Sequence, residues 1–173
     1  MDKIKNYAKA KRIKINLSKK IINSIAAGVT IGLIVLIMES LNFDHTYGLG
    51  SSAIIYASIG ASAFILFVMP KSRAAAKSAV IISYIIAGFV GYFSYYSSTY
   101  IGLAAAAALT VGLTGVFMVL SGKEHPPAVG LALAFVLFKV GLAGVLLVIL
   151  LGFLIVGISY VLGIFIKDVE KEI

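Results

Sequence analysis

Charge is absent from four long stretches of this sequence: no Asp, Glu, Lys or Arg falls between Ile21 and Met38, Thr46 and Pro70, Ser78 and Gly122, or Val140 and Ile166. An uncharged apolar run of ~20 residues is long enough to cross the hydrocarbon of a bilayer as a helix, so each gap holds at least one crossing and the longest holds two. In lipid every backbone polar group must be satisfied within the protein, and these runs lack the apolar–polar alternation of a barrel strand. The fold class that follows is an all-α integral membrane bundle of five to six membrane elements. Composition agrees, with 61% hydrophobic residues, 13% charged and a mean hydropathy of +1.06, outside the range of ordinary soluble domains.

Basic residues set the expected orientation. Eight of the fifteen Lys and Arg precede the first span: Lys3, Lys5, Lys9, Lys11, Arg12, Lys14, Lys19 and Lys20. The positive-inside rule places such a tail in the cytoplasm, giving a multi-pass protein of the plasma membrane. The tail also suits anionic lipid, with Ile4, Tyr7 and Ile15 facing down as an amphipathic helix. A nucleic-acid role is set aside. The first apolar run is too long for a signal-peptide core and is followed by Glu39-Ser40 instead of a cleavage site, so it reads as an uncleaved helix. The chain has no cysteine, which removes disulfides, thiolate metal sites and cysteine nucleophiles together.

Three parts are expected: a basic tail over 1–20, one transmembrane domain over 21–166, and a short tail over 167–173. Within the domain, Gly28 and Gly32 share one face of the first span, a spacing that lets helices approach closely. The polar break from Asn42 to Ser52 holds Asp44 and His45, too few ligands for a metal. Three basic residues, Lys71, Arg73 and Lys77, follow the second apolar run. A span over Val80 to Tyr96 leads to an expected turn at Ser97-Ser98-Thr99, and Ile101 to Leu120 returns antiparallel. Ala128 to Phe138 is only eleven residues, about 17 Å of helix. It is either a half-helix or part of a span bent through Gly141.

His125-Pro126-Pro127-Ala128, together with Ile59-Gly60-Ala61-Ser62-Ala63 running into Leu66-Phe67 and Pro70, resembles the HPP family of integral membrane proteins, named for its histidine-proline-proline tripeptide. The resemblance extends from the first helix to the last. Lys71-Ser72-Arg73 departs from the more acidic, proline-containing segment of the family, and Val129-Gly130 from its Gly-Ala-Thr-like residues. The family is described as transporter-like and some members are linked to nitrite, so the resemblance implies transport rather than catalysis.

The two halves, 21–97 and 98–166, each read as a long span, a short small-residue helix (60–69 and 128–138) and another long span. That pattern suggests inverted three-element repeats of about 70 residues, in which short helices begin near the midplane. Helix starts carry free N–H groups and the positive end of the dipole. A small-anion site is therefore expected between Gly60-Ala61-Ser62 and His125-Pro126-Pro127-Ala128-Val129. The same small residues equally serve helix packing. His125 either supplies charge or a proton, or caps the short helix. Lys139 is either a countercharge within the membrane or a snorkelling boundary residue, and Glu39 either a coupling carboxylate or an interfacial group. No cofactor or metal is expected. The leading function is a transporter or channel for a small inorganic anion such as nitrite, assembled as a homo-oligomer. A membrane enzyme using His125 beside Glu124, and a structural or regulatory subunit, are the alternatives.

Overall fold

The computed structural model describes the backbone of residues 2–42 and 49–172 and the side chains of 17–42 and 53–166. Asp44, His45 and the tail residues Ile4, Tyr7 and Ile15 lie outside the described side chains. Among the described residues there are six α-helices and no strand: α1 (Asp2–Ser40), α2 (Leu49–Val68), α3 (Lys77–Ile101), α4 (Leu103–Ser121), α5 (Pro127–Phe138) and α6 (Leu142–Glu172), with a 3-10 turn at Arg73–Ala75. Among the described residues, four helical segments are long and apolar enough to cross a membrane: Leu17–Ser40, Lys77–Ile101, Leu103–Ser121 and Leu142–Ile166.

Several boundaries differ from the sequence expectation for local reasons. The helix that begins in the segment 1–20 runs on into the first span, and α6 runs on through Glu172. The Ser97-Ser98-Thr99 segment does not turn. Its hydroxyls donate to the carbonyls of Ser94, Tyr95 and Tyr96 one turn back, and the helix continues to Ile101. The reversal falls at Gly102, whose φ of +80° is a conformation open to glycine and costly to other residues.

The short helix expected to begin at Gly60 begins at Leu49 and passes through Gly60 without interruption. Its apolar residues extend well upstream, and glycine in a membrane helix is tolerated where no break is needed. The second short helix is as expected. Pro127 occupies its first turn, where the missing N–H is no loss. Lys139 closes it in a left-handed conformation with φ of +54°, so α5 and α6 are separate helices and not one bent span.

α5 lies at the centre. Ala128, Leu131, Ala132, Ala134, Phe135 and Val136 are all buried, and the helix packs on α2, α3 and α4. Two glycines permit this. A Cβ on Gly91 of α3 would sit 2.7 Å from the Ala132 carbonyl oxygen, and one on Gly130 would sit 2.6 Å from Ser58 Oγ of α2. Without a hydrophobic drive between helices in lipid, such close backbone approach and its dispersion contacts hold the bundle. Gly28 and Gly32, by contrast, are exposed and meet nothing within the chain. Leu36, Leu120 and Leu146 are exposed apolar side chains of the outer surface, as a lipid-facing surface requires.

Candidate functional site

The loop from Gly122 to Pro126 does not stay at the end of the bundle. Ser83 Oγ donates to the Lys123 carbonyl, and Lys123 Nζ donates to Ser78 Oγ at 3.1 Å, which ties the loop to the first turns of α3. His125 then enters the interior with no exposed surface. Its Nε2 lies 2.8 Å from Ser62 Oγ of α2, and its Nδ1 lies 2.8 Å from the carbonyl oxygen of Ala74 in the 3-10 turn. Ser62 is six residues short of the end of α2, so the contact is about 9 Å in from that end at 1.5 Å per residue.

Ser62 Oγ has three partners. Beside His125 Nε2 it meets Tyr84 Oη at 2.9 Å and the Ser58 carbonyl oxygen at 2.9 Å. Ser62, Tyr84 and His125 are all fully buried, so four chain segments converge on one polar cluster inside an apolar bundle. Buried polar groups are stable in such surroundings only when hydrogen-bonded.

The chemistry of the partners fixes the direction of each bond. The Ala74 carbonyl can only accept, so Nδ1 carries a hydrogen. In the neutral imidazole Nε2 then accepts, Ser62 donates to it, and Tyr84 donates to Ser62. If the ring takes a second proton, Nε2–H donates to Ser62 Oγ, and the hydroxyl turns to the Ser58 carbonyl. Rotation of one O–H accommodates either state. Burial pushes the His125 imidazole below its ordinary value, opposed by the bond to Ala74.

The expected site residues fall in different places. Ser62 and His125 do come together, but not as ends of facing half-helices. Gly60 and Ala61 lie off the cluster: Ala61 is exposed, and a Cβ on Gly60 would meet nothing within 4 Å. The start of α5 offers no free donor in its first positions. Pro126 and Pro127 have no N–H, and the N–H groups of Ala128 and Val129 bond to the carbonyls of His125 and Pro126 at 3.0 Å. His125 is not a side-chain cap, since α5 is preceded by Pro126 without any capping bond. Glu39 and Lys139 are exposed at the ends of α1 and α5 that lie away from His125. Glu124 is exposed as well.

Tyr84 is the partner that motif reading missed. Its sequence signal is position: most tyrosines of α3 cluster late in the helix, at Tyr92, Tyr95, Tyr96 and Tyr100, where an interfacial belt is ordinary. Tyr84 stands apart among apolar neighbours, with its ring centroid 6.0 Å from that of His125. The Ala74 carbonyl carries no sequence signal, because any residue supplies one.

Lys19, Lys20, Lys71, Arg73, Lys77 and Lys123 lie at this same end of the bundle, together with the acidic Glu124 of the loop. Lys19, Lys20 and Lys71 line one groove, and Lys77 Nζ sits 4.2 Å from the Tyr160 ring centroid on α6.

A family model described as HPP, transmembrane region, matches residues 12–171. Comparison with curated proteins and with solved structures returns no match. The match takes in all of the helices from the basic segment of α1 to the last turn of α6, with the His125-Pro126-Pro127 entry and its Ser62 partner inside it. The chain belongs to the HPP transmembrane-region family of membrane proteins.

Proposed function

We propose that the protein transports a small inorganic anion, nitrite being the substrate its family suggests, and that His125 carries a proton in the same cycle. The observation behind this reading is the buried Ser62–His125–Tyr84 cluster. Ionisable groups inside a membrane bundle are expensive and mark ion or proton pathways by default. This one can gain or lose a proton without breaking a hydrogen bond. Basic residues outnumber the one exposed acidic residue of the loop, Glu124, at this end of the bundle, and an excess of positive charge raises the local concentration of anions.

Helix pairing supports an inverted repeat of the transporter kind. If α1, α2 and α3 correspond to α4, α5 and α6, each contact has a counterpart, although α3 packs far more extensively on α4 and α5 than α6 does on α1 and α2: α1 on α2 matches α4 on α5, α1 on α6 matches α4 on α3, and α2 on α6 matches α5 on α3. The pairs α2 with α5 and α3 with α6 map onto themselves, as pairs astride a two-fold axis must. The exposed Gly28 and Gly32 face supports assembly of several copies, and the basic end is read as cytoplasmic.

The reading is tested with purified protein in liposomes loaded with a pH indicator and challenged with nitrite, nitrate, chloride and bicarbonate. Anion entry accompanied by a proton is expected, with His125→Asn removing the pH dependence of flux. Flux no greater than in empty liposomes for every anion sinks the proposal.

A second reading follows from the same 2.8 Å contact, because a serine hydroxyl donating to a histidine is the pairing of a nucleophile and its base. Full burial of Ser62 and the Tyr84 hydroxyl on its oxygen stand against it. Covalent labelling of Ser62 by a fluorophosphonate probe would favour it over transport.

A further inference from the structure

We propose that the cavity between the end of α2, the 3-10 turn and α6 is an outer site for a small inorganic anion, with Lys77 as the residue that selects negative charge, an assignment that rests on the transport proposed above. The cavity encloses about 310 Å³. A water molecule takes ~30 Å³ in the liquid, so a small anion fits with part of its hydration shell. The walls include Leu66 of α2, Ala75 of the turn, Lys77 at the start of α3, and Ser159, Tyr160 and Gly163 of α6. Among the described residues no carboxylate lines it.

The Lys77 ammonium is held in place at this cavity. Its Nζ sits 4.2 Å from the centroid of the Tyr160 ring, within the range at which an aromatic face attracts a cation. A lysine at the end of a membrane helix ordinarily extends to water, whereas this one reaches across to α6. The ring attracts the ammonium without neutralising it, so its positive charge remains available at the cavity wall. Neither a side-chain cap nor an acidic residue in the first turn of α3 offsets the positive end of the helix dipole beside it.

Two walls of the cavity belong to the segments that hold His125. Leu66 follows Ser62 by one turn on the same face of α2, ~6 Å along the helix, and Ala75 follows Ala74, whose carbonyl accepts from His125 Nδ1. Ser159 lies seven residues inside the end of the apolar segment at Ile166, ~10 Å along α6, so the cavity dips below the membrane surface. A charged group at that depth is costly and marks an ion pathway. Gly163 leaves the space open, since a Cβ there would meet nothing within 4 Å.

The test uses the full-length chain, which has no cysteine of its own, carrying Ser159→Cys in neutral detergent; the serine hydroxyl bonds back to Val156 of its own helix. Rates of modification by an anionic sulfonatoethyl and a cationic trimethylammonioethyl methanethiosulfonate are compared, with Tyr100→Cys at the other end of the bundle as reference. The anionic reagent should be favoured several-fold over its ratio at the reference. Lys77→Gln should remove that preference, Lys77→Arg should keep it, and Lys139→Gln should leave it unchanged. Nitrite at constant ionic strength should slow modification when Lys77 is present and not in Lys77→Gln. Tyr160→Phe should keep the preference and Tyr160→Leu reduce it, and this pair decides the matter should Lys77→Gln fail to fold. Charge preference and nitrite protection in a protein that passes no anion in liposomes would overturn transport and leave the anion site. Anion flux with modification indifferent to Lys77 would overturn the site and leave transport. Slowing by phosphatidylglycerol and not by nitrite would make the ligand a lipid headgroup and overturn the inorganic anion.

Discussion

His125 Nε2 and Ser62 Oγ lie 2.8 Å apart although 63 positions separate them in sequence, and this bond joins the loop after α4 to the last third of α2. The loop is drawn inward by it, and α5 therefore starts inside the bundle.

Ser62→Ala should destabilise the protein more than Tyr84→Phe. The first change strands His125 Nε2 and the Tyr84 hydroxyl together, at about 1–3 kcal/mol for each buried group left without a partner. The second removes only a donor to a hydroxyl that keeps its bond to His125. Thermal unfolding in detergent gives the order, and a costlier Tyr84→Phe would refute the assigned bond directions.

Stability should fall as pH drops below about 6.5, the ordinary imidazole value. Burial holds His125 below that value in the folded protein, so between the two the unfolded chain binds a proton that the folded one does not. Stability then rises with pH across that window and levels off above it. His45 lies outside the described residues, so the informative quantity is the difference between wild type and His125→Asn. Parallel curves for the two proteins over pH 5–8 would contradict the burial of His125.

Gly91→Ala and Gly130→Ala should each cost about 1–3 kcal/mol, the range for overpacking a tight interface. The first meets the Ala132 backbone and the Phe135 ring, neither free to withdraw, and the second meets Ser58 Oγ. Gly60→Ala, where a Cβ meets nothing within 4 Å, should be near neutral. Comparable losses at all three positions in a detergent melt would mean that α5 is not packed as described.

Because the chain has no cysteine, single-cysteine variants report sidedness directly. Lys71→Cys and Lys123→Cys should react with an impermeant maleimide from one side of the membrane and Tyr100→Cys from the other. Labelling of all three from one side would disprove the crossing of α3 and α4.

The gaps between charges determined the helical membrane class without any fold information, because a bilayer leaves an uncharged run of that length few alternatives to a helix. Pro127 and the twelve-residue α5 were legible for a similarly local reason, since proline favours a first turn and Lys139 ends the run. The misplaced turn at Ser97 and the misplaced helix start at Gly60 show the limit of that reading. Serine, threonine and glycine break helices in water, whereas in an apolar bundle the hydroxyls bond back to the helix and the glycine simply continues it. Ser62 and His125 were both singled out by their motifs, yet the sequence suggested an anion between two helix ends. Only the tertiary structure shows how those groups are engaged: the N–H groups of Ala128 and Val129 bond within the first turn of α5, and the Ser62 hydroxyl meets Tyr84, Ser58 and His125. Which donors remain free depends on who lies within 3 Å in space, and residues 22 and 63 positions apart become neighbours only when the helices pack.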